Sequence, residues 1–210
     1  MHDLAAGVQR FQQHVFPAKA ELFAGLAASH RPDTLFISCS DARVVPELIT
    51  GSEPGELFVI RTAGNLVPPY APGPDGVAAS IEYAVAVLGV SGIVVCGHSA
   101  CGAMTALAEN HDLTSAPAIA DWLRHADASR ARTAAGADGT PTVDTLVRGN
   151  VLAQLANLVT HPSVARASAA SSLTLHGWVY DIPTGTVEEL TPTGTVEELA
   201  PAGRPASPTP

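Results

Sequence analysis

Three short apolar runs limit what this chain can become. TLFISC (34–39), ELFVIR (56–61) and GIVVC (92–96) are rich in branched and aromatic residues and are followed by turns containing Gly or Ser. Short, nearly continuous apolar runs are what strands covered on both faces look like, as in a parallel sheet flanked by helices. Between the second and third, DGVAASIEYAVAVLGV (75–90) sets Val77, Ile81, Tyr83, Ala84, Val85 and Leu88 at largely helical spacing, with Gly89 as a stop. It reads as a crossover helix. Beyond residue 101, GAMTALAEN, APAIADWLRHADASRAR and TVDTLVRGNVLAQLANLVTH read as helices, the last two separated at Gly136, Gly139 and Pro141. SLTLHGWVYDIPTGTVEEL (172–190) reads as a hairpin turning at PTG. The expected fold is α/β: a mostly parallel central sheet, flanking helices and a C-terminal antiparallel hairpin strand.

At 210 residues and 46% hydrophobic content, one domain with one core is expected. The octapeptide PTGTVEEL occurs at 183–190 and again at 192–199. Only one copy can pair with LHGWVYD across a single turn, so the second is assigned to the tail. Residues 191–210 are thus expected to be a repeat copy followed by a Pro-rich segment of disordered composition.

The formal net charge of −9, with 11 Lys plus Arg, argues against nucleic acid as a partner. No apolar run reaches the roughly 18 residues of a membrane span, and MHDLAAGVQRFQQHVF is too polar for a secretory signal. A cytoplasmic location without membrane attachment is expected. Three cysteines do not suggest a disulfide framework, which leaves thiol chemistry or metal binding.

Cys39 ends the first strand, and His98 and Cys101 follow the third. Carboxyl ends of strands in an open α/β sheet are where ligand crevices form. If the two strands are neighbours, two thiolates and one imidazole converge into a Cys2His set with an open fourth position, a recognised catalytic zinc arrangement. Cys96 should face away as a core thiol, because residues along a strand alternate faces. GHSACG is not a G-x-S-x-G nucleophile elbow, since Cys101 stands where the second glycine belongs, and Ser99 reads as a turn residue. In CSDARV (39–44), Asp41 and Arg43 can form a two-pronged charge-assisted pair that keeps the carboxylate ionised and oriented.

CSDARV, GELFVIRTAGNLVPP (55–69), ASIEYAVAVLGV (79–90), VVCGHSACGAM (94–104) and LHGWVYDIPTG together resemble the β-class carbonic anhydrases. The match runs from Leu4 to Leu190, with C-x-D-x-R and H-x-x-C as its most specific elements. The resemblance implies a single catalytic domain over residues 1–190 with an N-terminal helical arm. It implies one Zn2+ per chain on Cys39, His98 and Cys101, with Asp41 and Arg43 as a dyad that orients a zinc-bound hydroxide for reversible hydration of carbon dioxide to bicarbonate. In some relatives the aspartate swings onto the metal, so Asp41 is also a candidate fourth ligand. Phe58 and Tyr83 stand where plant-type relatives line the carbon dioxide pocket, and the Gly102 amide where they orient substrate. His30 replaces a glutamine that contacts substrate in many relatives. Phe36 replaces the tryptophan of a bicarbonate-inhibited subgroup, although Arg61 and Tyr180 match it. A homodimer or dimer of dimers is implied, with the N-terminal helix of one subunit across its partner. Hydrolysis of carbonyl sulfide or carbon disulfide, and a non-catalytic zinc or bicarbonate-sensing role, are the alternatives on the same scaffold.

Overall fold

The computed structural model describes residues 3–133, 141–191 and 196–199. An arm opens the chain: α1 (Leu4–Arg10) runs through a wide turn at Phe11–Val15 and a tight one at Phe16–Lys19 into α2 (Ala20–Ala28), with no residue of these segments buried. The rings of Phe11, Phe16 and Phe23 pack on one another within the arm. Then follow β1 (Thr34–Cys39), α3 (Pro46–Thr50), β2 (Leu57–Thr62), α4 (Gly76–Glu82), β3 (Gly92–His98) and α5 (Gly102–Ala108). The remaining elements are α6 (Pro117–Leu123), α7 (Asp127–Thr133), α8 (Val143–Leu158), α9 (Pro162–Ala169), β4 (Thr174–Tyr180), β5 (Val187–Leu190) and β6 (Val196–Glu198). No described helix is long and apolar enough to cross a membrane.

The sheet order is β2-β1-β3-β4-β5-β6, parallel from β2 through β4 and antiparallel from β4 to β6. This is the expected α/β architecture. Leu35, Ile37, Ile93 and Val95 are fully buried in the main core with Leu146, Val147 and Val151 of α8. Each such side chain contributes roughly 1.5–3 kcal/mol by leaving water. The opposite face carries a smaller cluster of Phe36, Val94 and Cys96, against which Leu57, Val59, Trp178 and Tyr180 pack. Two glycines let α8 approach the sheet. A Cβ on Gly97 would lie 2.8 Å from Val151 Cγ2, and one on Gly177 2.9 Å from Val151 Cγ1.

Several elements differ from expectation. The crossover helix widens after Glu82 into π turns over Tyr83–Leu88, so Ile81, Ala84 and Val85 are buried while Tyr83 is 44% exposed. α3 and α9 are short and begin with proline, too brief to declare themselves by periodicity. The break expected at Gly136 and Gly139 lies outside the described residues. The second octapeptide does not all fall in a tail: Val196, Glu197 and Glu198 pair with Leu190, Glu189 and Glu188. β4 is already paired with β5, and the free edge of β5 is the nearest row of backbone donors and acceptors.

Candidate metal centre

β1 and β3 are adjacent and parallel, with Ser38 across from Cys96, so their carboxyl ends leave the sheet side by side. From β1 comes Cys39. From β3 comes His98, and a turn through Ala100, at φ +52°, carries the chain to Cys101 at the N-terminal cap of α5. The two sulfurs and a ring nitrogen lie within 4.8 Å of one another, and all three residues are buried.

The chemistry of this donor set fits a metal ion. His98 Nδ1 is 2.9 Å from the Ser99 carbonyl, to which it can only donate, leaving the Nε2 lone pair free. Nε2 is buried without a hydrogen-bond partner, a costly condition for a polar atom with no ligand to meet. The closeness of the Cys39 and Cys101 sulfurs holds the Cys39 thiol below its ordinary range and pushes Cys101 above it. A cation set between the two sulfurs would favour the ionised form of both. Cys96, on the other face of the sheet, is pushed up to about 12 by burial and is a core thiol.

Asp41 and Arg43 lie at the mouth of this triangle. Hydrogen bonds from the Arg43 side chain, then from its backbone N–H, hold the Asp41 carboxyl well below the usual carboxylate range. Asp41 Oδ2 is 4.0 Å from His98 Nε2. Two further groups support the site, and neither announced this role in the sequence. Arg61 donates to the carbonyls of Cys39, Asp41 and Val44, so one guanidinium shapes the whole loop after β1. The Gly64 N–H donates to Cys39 Sγ at 3.4 Å.

The substrate-binding candidates divide. Gly102 opens α5 with open space in front of its Cα. The rings of His30, Phe58 and Tyr83 gather with one another, Phe58 standing 6.2 Å from His30 and 6.0 Å from Tyr83. They do not gather at the metal centre of their own chain. Phe58 pairs with Leu35 while Thr62 pairs with Cys39, a separation of about 13 Å along the sheet at ~3.3 Å per residue. On the sheet's other face, the ring that meets Phe36 is Trp178, with centroids 5.9 Å apart.

Such a molecule belongs to the class of α/β proteins that gather ligands at the carboxyl edge of a parallel sheet, here with two thiols and an imidazole. A family model described as carbonic anhydrase matches residues 34–187. The carbonic anhydrase of Pseudomonas aeruginosa is 58% identical over 192 residues, 90% of this chain and 87% of that protein. Among solved structures, the β-carbonic anhydrase CcaA superposes with a TM-score of 0.86 at 39% identity, covering 93% of this chain and 97% of that one. A tetrameric β-carbonic anhydrase from Sordaria macrospora gives a TM-score of 0.78 at 32% identity, covering 93% and 98%. The chain belongs to the β-carbonic anhydrase family of enzymes.

Proposed function

We infer that this protein catalyses the reversible hydration of carbon dioxide, with one zinc ion held by Cys39, His98 and Cys101. The observation that carries the reading is the buried His98 Nε2, unpartnered and within 4.8 Å of the Cys39 and Cys101 sulfurs. Cys39, His98 and Cys101 would hold the ion, which when bound would lower the pKa of water and so supply a nucleophile.

The chain's own residues do the rest. Asp41, ionised through its pair with Arg43, accepts a hydrogen bond from the attacking oxygen and aims its lone pair at the carbon. Arg43 also donates to the Ala100 carbonyl at 3.1 Å, so the carboxylate is fixed relative to the turn between His98 and Cys101. The exposed Gly102 N–H, in the first turn of α5, is a donor for a bicarbonate oxygen.

His30, Phe58 and Tyr83 serve the same reaction from a second copy, forming the apolar wall of the neighbour's site. Their separation from the local metal centre supports this, as does the arm, where Leu4 is 80% exposed and Val8 55%. The assembly is a dimer or a dimer of dimers, in keeping with the Sordaria relative described as tetrameric.

Stopped-flow hydration with a pH indicator tests the reading. Activity is expected with one zinc per chain, lost on dialysis against a chelator and restored by zinc. Zinc-replete protein without hydration activity would refute it. Specific activity should also fall on dilution through the range where sedimentation shows monomers, if a partner completes the site.

A further inference from the structure

After β2 the chain leaves the sheet beside Cys39, and side chains of the helical layer take up its backbone hydrogen bonding. Trp122 Nε1 of α6 donates to the Ala63 carbonyl at 2.9 Å, and Asn150 Nδ2 of α8 to the Gly64 carbonyl at 2.9 Å. Gln154 Oε1 accepts from Val67 N–H at 2.9 Å, and Asn157 Nδ2 donates to the Val67 carbonyl at 2.8 Å. His161 Nε2 meets the Pro68 carbonyl at 3.0 Å. Asn150 and Gln154 are fully buried. A fully buried amide is costly where leucine would do, unless its partners need it.

The orientation of Asn150 is fixed. Ser129 Oγ and Gln154 Nε2 both donate to its Oδ1 at 2.9 Å, which leaves Nδ2 for Gly64. Gly64 itself has φ +73°, and a Cβ there would lie 2.9 Å from Ala103 Cβ, so only glycine suits this position. The Ala63 carbonyl and the Gly64 N–H belong to one planar peptide group. The indole N–H of Trp122 therefore binds one end of that group while its other end donates to Cys39 Sγ at 3.4 Å. Each bond polarises the peptide in the sense that strengthens the other.

We propose that Trp122 and Asn150 are positioning residues for Cys39: they hold the two peptide groups flanking the Gly64 Cα so that its N–H stays on the sulfur. The role rests on Cys39 being a metal ligand, as inferred above. An N–H on a thiolate draws charge from the sulfur, occupies one lone pair and leaves another aimed at the metal. Such outer partners tune how tightly a metal is held, typically by about 10- to 100-fold.

Cobalt(II) titrated into the zinc-free full-length protein reads this directly, through the thiolate-to-cobalt charge-transfer band and the dissociation constant. Trp122→Phe keeps a ring and loses the donor. Replacing Trp122 with β-(3-benzothienyl)alanine changes only the indole nitrogen to sulfur and serves if the phenylalanine variant folds poorly. Either should move the band to longer wavelength, because a thiolate without its hydrogen bond gives up charge more easily, and should weaken cobalt binding about tenfold. The Gly64 amide should exchange faster with deuterated solvent. Val164→Ala, a cavity in the buried face of α9, lowers stability without touching this peptide and should leave band and affinity unchanged. If band and affinity stay put in the Trp122 variants, or move equally in Val164→Ala, the positioning role is wrong. A parent protein that binds cobalt without a thiolate band overturns the ligand set itself, and the positioning role with it.

Discussion

Asp41 and Arg43 are joined by two parallel hydrogen bonds, Nε to Oδ1 at 2.9 Å and Nη2 to Oδ2 at 2.7 Å, with the Arg43 backbone N–H also on Oδ1. This grip decides where the carboxylate points. Bound to Arg43, its Oδ2 stands 4.0 Å from His98 Nε2 at the mouth of the Cys39–His98–Cys101 triangle, and a carboxylate released from Arg43 is free to turn inward. Because Arg43 depresses the folded-state pKa of Asp41, the stabilisation is present above the ordinary carboxylate range and is lost as pH falls through the lowered value.

Arg43→Ala should therefore lower kcat/KM by about two orders of magnitude, the scale of a lost orienting charge. The pH profile should also move to higher pH. A carboxylate that turns into the site competes with hydroxide, and hydroxide becomes scarcer as pH falls. Hydration rates measured between mildly acidic and mildly alkaline pH check this. An unshifted profile would mean that the pair is only structural.

Removing a sulfur separates the ligands from the core thiol. Cys101→Ser replaces a soft donor and should lose most of the metal, as elemental analysis of the purified protein would show. Cys96→Ser should keep a full complement. It buries a hydroxyl between Phe36 and Val94 and should cost about 1–3 kcal/mol in urea denaturation. Equal metal content in the two variants would contradict the assignment.

The parts of this molecule legible in its sequence are those that restrict residue type. β1 has the bounds its apolar run announces, because an uninterrupted run bounded by polar turns leaves little choice. Cys39, His98 and Cys101 could be picked out because few side chains bind metal. Arg61 was hidden as a charge near the end of a strand, and its use became visible only when the loop after β1 folded over it. Gly64 acts through its backbone, which any residue possesses. Asn150, Gln154 and Asn157 do leave a trace, a polar stripe at i, i+4 and i+7 along α8. Reading that stripe as solvent-facing is the natural error, and burial reverses it.

The repeated octapeptide makes a test of edge pairing. A chain ending at Thr191 lacks β6 but keeps the β4–β5 hairpin, whose turn is closed by hydrogen bonds between Asp181 and Thr186 and between Gly185 and Asp181. Hydration activity should be unchanged. The melting temperature should drop by a few degrees, and aggregation on heating should increase as the β5 edge is bared. Loss of activity in this truncation would mean that the second copy reaches the site or the assembly that completes it.

Val151 fits between two glycines, with Cγ2 against Gly97 on β3 and Cγ1 against Gly177 on β4. Gly97 immediately precedes His98, so this packing sets how closely the ligand-bearing strand and α8 approach. Gly97→Ala should cost about 1–3 kcal/mol, since the new methyl would sit 2.8 Å from Cγ2 and α8 must move. Moving α8 also shifts Asn150, so cobalt affinity should fall along with stability. Val151→Ala removes the obstructing methyls and leaves a small cavity of its own. Combined with Gly97→Ala it should be less damaging than the two losses added, with a coupling of about 1 kcal/mol or more, and should recover part of the lost affinity. Urea denaturation of the parent, both single variants and the double variant measures the coupling. Additivity within about 0.5 kcal/mol would mean that the two residues do not compete for the same space.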